Sequence, residues 1–387
     1  MSKTSLSKSN RYFRRAIRIV LLLTCLIFSG CSSEKVEYQE FRVGLMYNTD
    51  TPGALPSVQA ARLYVDNLNT KGGLKVDKKA IRYRLIESEV SSNPSSAMLA
   101  ARELIYELHV DAIIGPNQSL LAAEAAAVAE VANIPLISQG STNPIVTQNK
   151  KFVFQIAFND QEQGVALAKA AHRVIKPEKL VIIYGLSDPA SRAVGESFIN
   201  KFQELGGQLH KVLTYSLINE KLEKQLASIA QDQPDWILLP NRYDESLQQA
   251  KLLRASGFNG LFLGSDNWSI IDSPKQPVLD GSIMTHHWHP QLIQVEVSSA
   301  RFFSDYIARF EEPPTSMSAL TYDAFDVLTY SLKQCKGSKS ELAKQISTLS
   351  GFPGITGQIS LNGKERVREP IFLKIRAGES YLWTSQE

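Results

Sequence analysis

Residues 110–142 read VDAIIGPNQSLLAAEAAAVAEVANIPLISQGST, and this stretch decides the fold. The apolar run at 110–114 is typical of a strand buried on both faces, the alanine-rich segment at 120–132 predicts a helix, and residues 134–138 predict a second strand. A strand, a helix and a strand joined by short connections indicate two parallel strands of one sheet, with helices covering both of its faces.

The same alternation continues on both sides of this stretch. Before it, we predict strands at 41–46 and 81–87 and helices at 56–70 and 95–109. After Phe152 the pattern restarts, and it predicts strands at 180–184, 209–217, 236–239 and 261–263 and helices at 161–175, 192–205, 220–230 and 245–255. Two such sets of similar size, without a Pro- or Ser-rich linker between them, predict two α/β lobes joined by ordered crossings.

The tail follows a different pattern. Its periodicity predicts helices at 298–310, 320–334 and 341–349 and strands at 357–361 and 371–375, with Asn362-Gly363 as a strong turn signal between the strands. These strands are too few for a third lobe, so we expect the tail to complete the first two.

The N-terminus has the layout of a secretory signal. Its basic, acid-free segment contains Lys3, Lys8, Arg11, Arg14, Arg15 and Arg18. The apolar run at 19–28 that follows is shorter than the ~20 residues of a membrane-spanning helix. It ends in Phe28-Ser29-Gly30-Cys31, which resembles the bacterial lipobox. We therefore expect a signal peptide at 1–30, lipid attachment at Cys31 and a tether at 31–40; an ordinary signal peptide with an incidental cysteine is the alternative.

Removal of this leader reverses the net charge. All six leader charges are basic, so 36 of the 42 Lys and Arg remain against 39 Asp and Glu, a formal charge of −3. The mature chain therefore has no basic excess that would indicate a nucleic-acid partner. Cys25 leaves with the leader and Cys31 would carry lipid, so Cys335 has no cysteine left to pair with.

Several short segments, in this order along the chain, carry a resemblance to a known family. They are AIIGPNQS at 112–119, IPLISQGSTNP at 134–144, FQIAFNDQEQG at 154–164, PD at 234–235, GSD at 264–266, YDA at 322–324 and GQI at 357–359. Through them the chain resembles the type I periplasmic binding proteins, specifically the branched-chain amino-acid-binding (leucine/isoleucine/valine) family of ABC-transporter receptors, from Val43 to about Gly378. The resemblance implies two doubly wound parallel-sheet α/β lobes joined by a three-crossing hinge. It puts residues 41–157 and 282–350 in the N-terminal lobe and residues 158–281 and 351–387 in the C-terminal lobe.

Ligands of open parallel sheets bind outside the carboxyl ends of the strands, and this rule selects candidate residues without help from the family. After the strands at 110–114 and 134–138 come Asn117, Ser119, Ser138, Gly140, Ser141 and Thr142. Their hydroxyls and the amides at a helix start suit a carboxylate, although Ser119 and Thr142 are equally suited to capping helices. The resemblance implies that Ser119 and Thr142, with the amides of Gly140 and Ser141, bind the α-carboxylate of an amino acid.

Asp266 follows the strand at 261–263, where the resemblance implies an acid that binds the ligand's α-ammonium. A carboxylate in a closed cleft requires such a cation; a solvent-facing turn residue is the alternative. The family's tyrosine that assists the amine is missing, because the segment after the strand at 180–184 contains Asp188-Pro189-Ala190-Ser191-Arg192 instead. Arg192 either favours an additional acidic group on the ligand or faces solvent.

Other residues that follow strands are expected to line the cleft, with an aromatic wall for an apolar or ring-bearing side chain. They are Tyr47, Asn48, Ser191, Arg192, Asn241, Tyr243 and Trp268. His286, His287 and His289 are close enough in sequence for a metal site. However, neighbouring side chains of a strand point to opposite faces, so we expect no metal and no cofactor.

We therefore expect a monomeric, lipid-anchored extracytoplasmic protein that captures an amino acid or related small polar ligand by hinge closure and delivers it to an ABC permease. No Gly-x-Ser-x-Gly, Gly-Lys-Ser/Thr or His-Glu-x-x-His motif is present, which argues against an enzyme. The alternative is a ligand-sensing or scaffolding envelope lipoprotein with the same fold and no transport role. Ser32, after the predicted lipidated cysteine, is compatible with sorting to an outer membrane.

Overall fold

The computed structural model of the chain describes residues 37–51, 53–268, 277–294, 297–361 and 369–383. Its strands are, in chain order, β1 (Glu37–Tyr47), β2 (Leu74–Val76), β3 (Lys79–Glu89), β4 (Ala112–Ile114), β5 (Leu136–Ser138), β6 (Val153–Gln155), β7 (Leu180–Gly185), β8 (Lys211–Tyr215), β9 (Trp236–Leu239), β10 (Leu261–Gly264), β11 (Ile283–His286), β12 (Phe352–Gly354), β13 (Gly357–Ile359), β14 (Ile371–Arg376) and β15 (Glu379–Leu382). Its α-helices are α1 (Ala54–Thr70), α2 (Pro94–Arg102), α3 (Ser119–Ala132), α4 (Asp160–Ala170), α5 (Pro189–Glu204), α6 (Glu220–Gln231), α7 (Tyr243–Ala255), α8 (Val297–Phe310), α9 (Ser316–Gln334) and α10 (Leu342–Ser347).

The first sheet has the order β2-β3-β1-β4-β5-β6. All neighbours in it are parallel except β2 and β3. Ile113 packs with α2 and α3 on one face, whereas Ile114 packs with α1 and α9 on the other. Because successive side chains of a strand alternate between faces, a sheet covered on both sides needs the continuous apolar runs seen here. The parallel arrangement predicted from residues 110–142 is confirmed.

The second sheet has the order β15-β14-β11-β10-β9-β7-β8. Strands β7 to β11 are parallel, and β14 and β15 are added antiparallel at one edge. Helices α4 and α5 cover the face of Ile182, and helices α6 and α7 cover the face of Ile183. The second α/β set that the sequence predicted is therefore present, and the tail adds its last strands to it.

Two crossings between the sheets lie against each other. The first runs from β6 to α4, where Asn159 caps the helix: its Oδ1 accepts from the N–H of Glu162 (2.8 Å), and the Glu162 carboxylate accepts from the N–H of Asn159 (2.7 Å). The second follows β11, where the ring of His287 stacks on that of Phe158 with centroids 3.8 Å apart. This contact ties the two crossings together.

Two segments lie in a different part of the fold from the one expected. β11 pairs with β10 and β14 and so belongs to the second sheet, although residues after 281 were expected in the first lobe. The β12–β13 hairpin packs on the first lobe, although residues after 350 were expected in the second. The carboxylate of Asp323 on α9 holds its turn, accepting from the N–H groups of Ile355 (2.6 Å) and Thr356 (3.0 Å), because a buried carboxylate requires such donors.

The predictions for the leader and for the turn concern residues near the two ends of the chain. Residues 1–36, including the predicted signal peptide and Cys31, and the predicted Asn362-Gly363 turn lie outside the described residues. Residues 37–40 of the predicted tether are the first residues of β1. Within the described ranges, no helix is both long and apolar enough to cross a bilayer.

Candidate functional site

Four residues from four separate loops and helix starts lie where the lobes join: Ser119, Thr142, Asp160 and Asp266. We call this group the interlobe site. The Oγ of Ser119 accepts from the N–H of Asn143 (3.3 Å), and the carbonyl of Thr142 accepts from the N–H of Asp160 (3.1 Å). The charge of Asp266 acts on the carboxyl of Asp160. The two loops of the first lobe thus lie against the start of α4 and the end of β10 in the second.

Ser138 and Ser141 hold the two first-lobe loops together. The two hydroxyls lie within hydrogen-bond distance of each other, and that of Ser138 also lies 3.0 Å from the carbonyl of Pro116 and that of Ser141 3.2 Å from the carbonyl of Asn117, so two protons serve three contacts. The Nε2 of Gln155 donates to the carbonyls of Ser141 and Asn143 (3.0 Å each). The two hydroxyls therefore position the loop, while Ser119 and Thr142 remain partly exposed.

Gly140 is a point of close approach between this loop and α9. A Cβ at this position would lie 2.8 Å from the Cε of Met317, so a larger residue would push the loop or the methionine away. Asn117 lies on the same side and donates from Nδ2 to the Oγ of Ser57 on α1 (3.2 Å). Its Oδ1 is buried and has no hydrogen-bond partner among the described residues.

Asp266 is the predicted ammonium receptor, and both of its carboxylate oxygens already have protein partners. Oδ1 accepts from the Nε2 of Gln163 (2.7 Å), and Oδ2 is 3.0 Å from the Nε2 of His287. Burial by itself would raise the pKa of Asp266, but the hydrogen bond and charge of His287, with the amide of Gln163, hold this pKa below its ordinary value. The carboxylate is therefore ionised and compensated from within the protein; its role toward a ligand stays a prediction.

Asp160 is a site residue that the sequence reasoning missed. It is 1% exposed at the first position of α4, and neither carboxylate oxygen has a hydrogen-bond partner of normal geometry among the described residues. Burial raises the pKa of Asp160 to about 7, and the charge of Asp266 adds to this, against the opposing effect of the Thr142 hydroxyl. The segment FQIAFNDQEQG contained the signal, but an acid in the first turn of a helix is also what the helix dipole favours.

In the first lobe, the predicted cleft residues Tyr47 and Asn48 have different surroundings. Tyr47 is half-buried and packs against the first-lobe core. Asn48 is buried, and its Nδ2 donates to the Oγ of Ser92 (3.0 Å) and the Oε1 of Gln118 (3.1 Å). The amide of Asn48 is thus engaged in holding three loops together.

In the second lobe, most predicted cleft residues are engaged within the lobe. Asn241 is buried and joins the loop after β9 to β7, accepting from the N–H of Gly185 and donating to the carbonyl of Ile183 (3.0 Å each). Trp268 is 1% exposed and packs in the lobe's core. The remaining three differ: the Ser191 hydroxyl donates to Asp188 (2.8 Å), Arg192 is exposed, and Tyr243 is half-buried against the core.

The three clustered histidines have separate partners. The Nδ1 of His286 accepts from the N–H of Trp288 (3.3 Å), and burial, with the charge of His287, lowers the pKa of His286 to about 3. The Nδ1 of His289 accepts from the N–H of Gln291 (3.3 Å). Over the described part of the chain, no group of three or more His, Cys, Asp or Glu side chains could hold a metal ion.

Comparisons with known proteins agree with this architecture. The family model described as "Periplasmic binding protein" matches residues 40–372. A leucine-specific-binding protein of Salmonella typhimurium is 24% identical over 211 residues, 53% of this chain and 54% of that protein. The chain thus spans about half the length of the curated relatives it matches.

Solved structures show the same fold over most of the chain. The branched-chain amino acid transporter substrate binding protein LivJ from Streptococcus pneumoniae, in complex with isoleucine, has a TM-score of 0.74 at 20% identity and covers 88% of this chain and 98% of its own. A solute binding protein of an ABC transporter from R. palustris, in complex with benzoate, has a TM-score of 0.69 at 21% identity, with coverage of 89% and 95%. Members of this family bind solutes, and it is not a family of enzymes. The chain belongs to the periplasmic binding protein family, as a type I member related to the branched-chain amino-acid receptors.

Proposed function

We propose that this protein is a lipid-anchored extracytoplasmic receptor that captures an amino acid or a related small polar ligand in the interlobe site, closes its lobes around it and delivers it to an ABC importer. The observation that carries the proposal is Asp160, a buried carboxylate that has no cationic partner among the described residues and only the Thr142 hydroxyl to favour its charged form. Burying an anion without a compensating cation is costly. A ligand ammonium would supply that cation.

The position of Asp160 suits an α-amino acid. Such a ligand carries its ammonium and its carboxylate on one carbon, so the groups that receive them must adjoin. Asp160 adjoins Thr142 through the N–H to carbonyl hydrogen bond of 3.1 Å. In this proposal Asp160 receives the ammonium, and Ser119, Thr142 and the amides of Gly140 and Ser141 receive the carboxylate.

Asp266 has a secondary part in this proposal. Its carboxylate is held by Gln163 and His287, so it acts on the ammonium from a distance, through its charge. The charge of Asp266 also raises the pKa of Asp160. An ammonium that enters between them would relieve this repulsion, which favours amine-bearing ligands over neutral ones.

The ligands of two structural relatives define the alternatives. Isoleucine and benzoate both have a carboxylate, but only isoleucine has an ammonium. The carboxylate receptors in the loops after β4 and β5 would accept either. Asp160 decides between them, because benzoate would leave its charge uncompensated.

A thermal-shift screen tests the proposal. Amino acids, their amides, short peptides and amine-free acids such as benzoate would be added to wild type, Asp160→Asn and a matched control, Asp244→Asn, whose exposed acid is in the first turn of α7. A ligand at 100 times its Kd stabilises by about 2.7 kcal/mol. We expect an amino acid to raise the Tm of wild type and of the control but not of Asp160→Asn. Stabilisation by benzoate alone would contradict the amine assignment.

The lipid anchor and the transport role need their own tests. Mass spectrometry of the protein from membranes should find a diacylated Cys31 at the N-terminus, and Cys31→Ser should release the protein. Uptake of the identified ligand should fall in cells that express only Asp160→Asn. Normal uptake in such cells would favour the sensing or scaffolding alternative.

A further inference from the structure

A second pocket of about 280 Å³ lies on the first lobe, between α1, α8, α9 and the turn of the β12–β13 hairpin. Its lining includes Tyr64, Asn67, Arg301, Phe302, Tyr322 and Asp326. Met317, which contacts Gly140 of the interlobe region, precedes Asp326 by nine positions on α9. At 1.5 Å per residue the pocket lies about 13 Å further along this helix, so it is separate from the interlobe site.

A carboxylate, that of Asp326, lines this pocket. The hydroxyl of Tyr64 donates to the Oδ1 of Asp326 (2.8 Å). Burial raises the pKa of Asp326 to about 6, although this hydrogen bond opposes the shift. Among the described residues, no Lys, Arg or His forms an ion pair with Asp326. Asp326 is half-buried, and one hydrogen bond from a phenol compensates its charge only in part.

Aromatic rings form the walls. The ring of Tyr322 meets that of Tyr64 edge-on, with centroids 4.8 Å apart and planes at 73°, and the ring of Phe302 lies 5.0 Å from that of Tyr322. Aromatic faces attract cations, with Lys, Arg or ligand ammonium groups within about 6 Å of the centroid. A carboxylate beside such faces disfavours an anion and favours a cation with an apolar body.

Two cationic side chains line the pocket, Lys71 and Arg301, and among the described residues neither forms an ion pair with Asp326. The side chain of Arg301 is 71% exposed, and its Nε lies 4.0 Å from the carboxylate of Asp305. Lys71 is exposed as well, so both cations lie toward solvent and leave Asp326 without an ion-pair partner among the described residues.

We propose that this pocket is a second ligand site, which binds a small organic ammonium ion through Asp326 and the rings of Tyr322 and Phe302. The volume lies just below the ~300–1,000 Å³ of ordinary ligand pockets, so the occupant is smaller than a drug-sized molecule. The pocket shares no residue with the interlobe site, so ligand binding in the pocket does not depend on the function proposed for that site.

Saturation-transfer-difference NMR tests the proposal, with n-butylammonium as the probe and n-butanol as its uncharged counterpart. We expect a signal from the ammonium probe on the wild-type chain that falls at least fivefold in Asp326→Asn, and none from butanol. Asp305→Asn is the matched control, because it removes a nearby acid outside the pocket lining, and it should keep the signal. Asp160→Asn should keep it too, which separates this site from the interlobe site.

Asn67→Lys is a second variant that does not remove the carboxylate. Asn67 lines the pocket near the hydroxyl of Tyr322, and a lysine there would pair its own ammonium with Asp326. We expect this variant to fold, to melt no lower than wild type and to lose the probe signal, so it decides the matter if Asp326→Asn does not fold. An equal signal on wild type and Asn67→Lys, or an equal signal from butanol, would overturn the proposal.

Discussion

Asp160→Asn is expected to stabilise the ligand-free protein at neutral and alkaline pH. Burial, with the charge of Asp266, raises the pKa of Asp160 from 3.8 to about 7. Between these two values the native protein holds a proton that the unfolded chain has released. The free energy of unfolding therefore falls as the pH rises through this window. Asparagine has nearly the same shape and no charge, so the variant escapes this loss.

The size of the effect follows from the shift. One pKa unit corresponds to 1.36 kcal/mol, so a shift of about three units sets an upper limit of about 4 kcal/mol at pH 8. Rearrangement around the charge and entry of water reduce this limit, and we expect a gain of about 2–4 kcal/mol at pH 8. At pH 4 the carboxyl is protonated in the native protein and partly so in the unfolded chain. The gain should then shrink to less than about 1 kcal/mol.

Urea unfolding followed by circular dichroism measures this directly. Wild type, Asp160→Asn and Asp244→Asn would be compared without ligand at pH 4, 6 and 8. Asp244 is exposed, so its variant should show no comparable rise with pH. A gain for Asp160→Asn that is absent at pH 8, or equal at every pH, would refute the reasoning that the buried carboxylate is uncompensated. Greater stability together with lost amino-acid binding would identify an acid retained for its ligand.

Three further substitutions test the neighbouring contacts. His287→Ala removes the partner 3.0 Å from the Oδ2 of Asp266 and should lower the free energy of unfolding in urea by about 3 kcal/mol; a change below about 0.5 kcal/mol would contradict the pairing. Gly140→Ala places a Cβ 2.8 Å from the Cε of Met317, and we expect about tenfold weaker ligand binding by calorimetry with less than about 1 kcal/mol of destabilisation, since the methionine end is flexible. Unchanged affinity would remove Gly140 from the site. Asn241→Ala loses its bonds to Gly185 and Ile183 and should cost about 2–3 kcal/mol of stability at unchanged affinity; a selective loss of affinity would instead support its predicted place in the cleft.

The secondary structure could be predicted because its signals are local. The strand predicted at 134–138 is observed as β5 (Leu136–Ser138), and the helix predicted at 120–132 is observed as α3 (Ser119–Ala132). Where these local signals are weak, the predicted helices and strands differ from the observed ones. The helix predicted at 95–109 ends as α2 at Arg102 and continues as a π-helical turn over Glu103–Glu107. β11 was not predicted, because its Ile-Met-Thr-His sequence has no distinct periodicity.

Side-chain roles could be predicted less well than strands and helices. Asn241 and Trp268 both follow strands, as ligand-binding residues of parallel sheets do. In the folded protein, the amide of Asn241 joins the loop after β9 to β7, and the indole of Trp268 packs into the second-lobe core. Position after a strand limits which residues can reach a cleft, but the packing of the loop decides which of them do.

The sequence by itself determined the family, the two α/β sets and the position of Asp266 after a strand. Only the tertiary structure decided that Asp266 is compensated and that Asp160 is not. The partners of Asp266 lie 103 positions before it, at Gln163, and 21 positions after it, at His287. Apolar periodicity is set by near neighbours in the chain and can be read from it. The cost of burying a charge depends on the groups that folding brings within a few ångströms, from anywhere in the sequence.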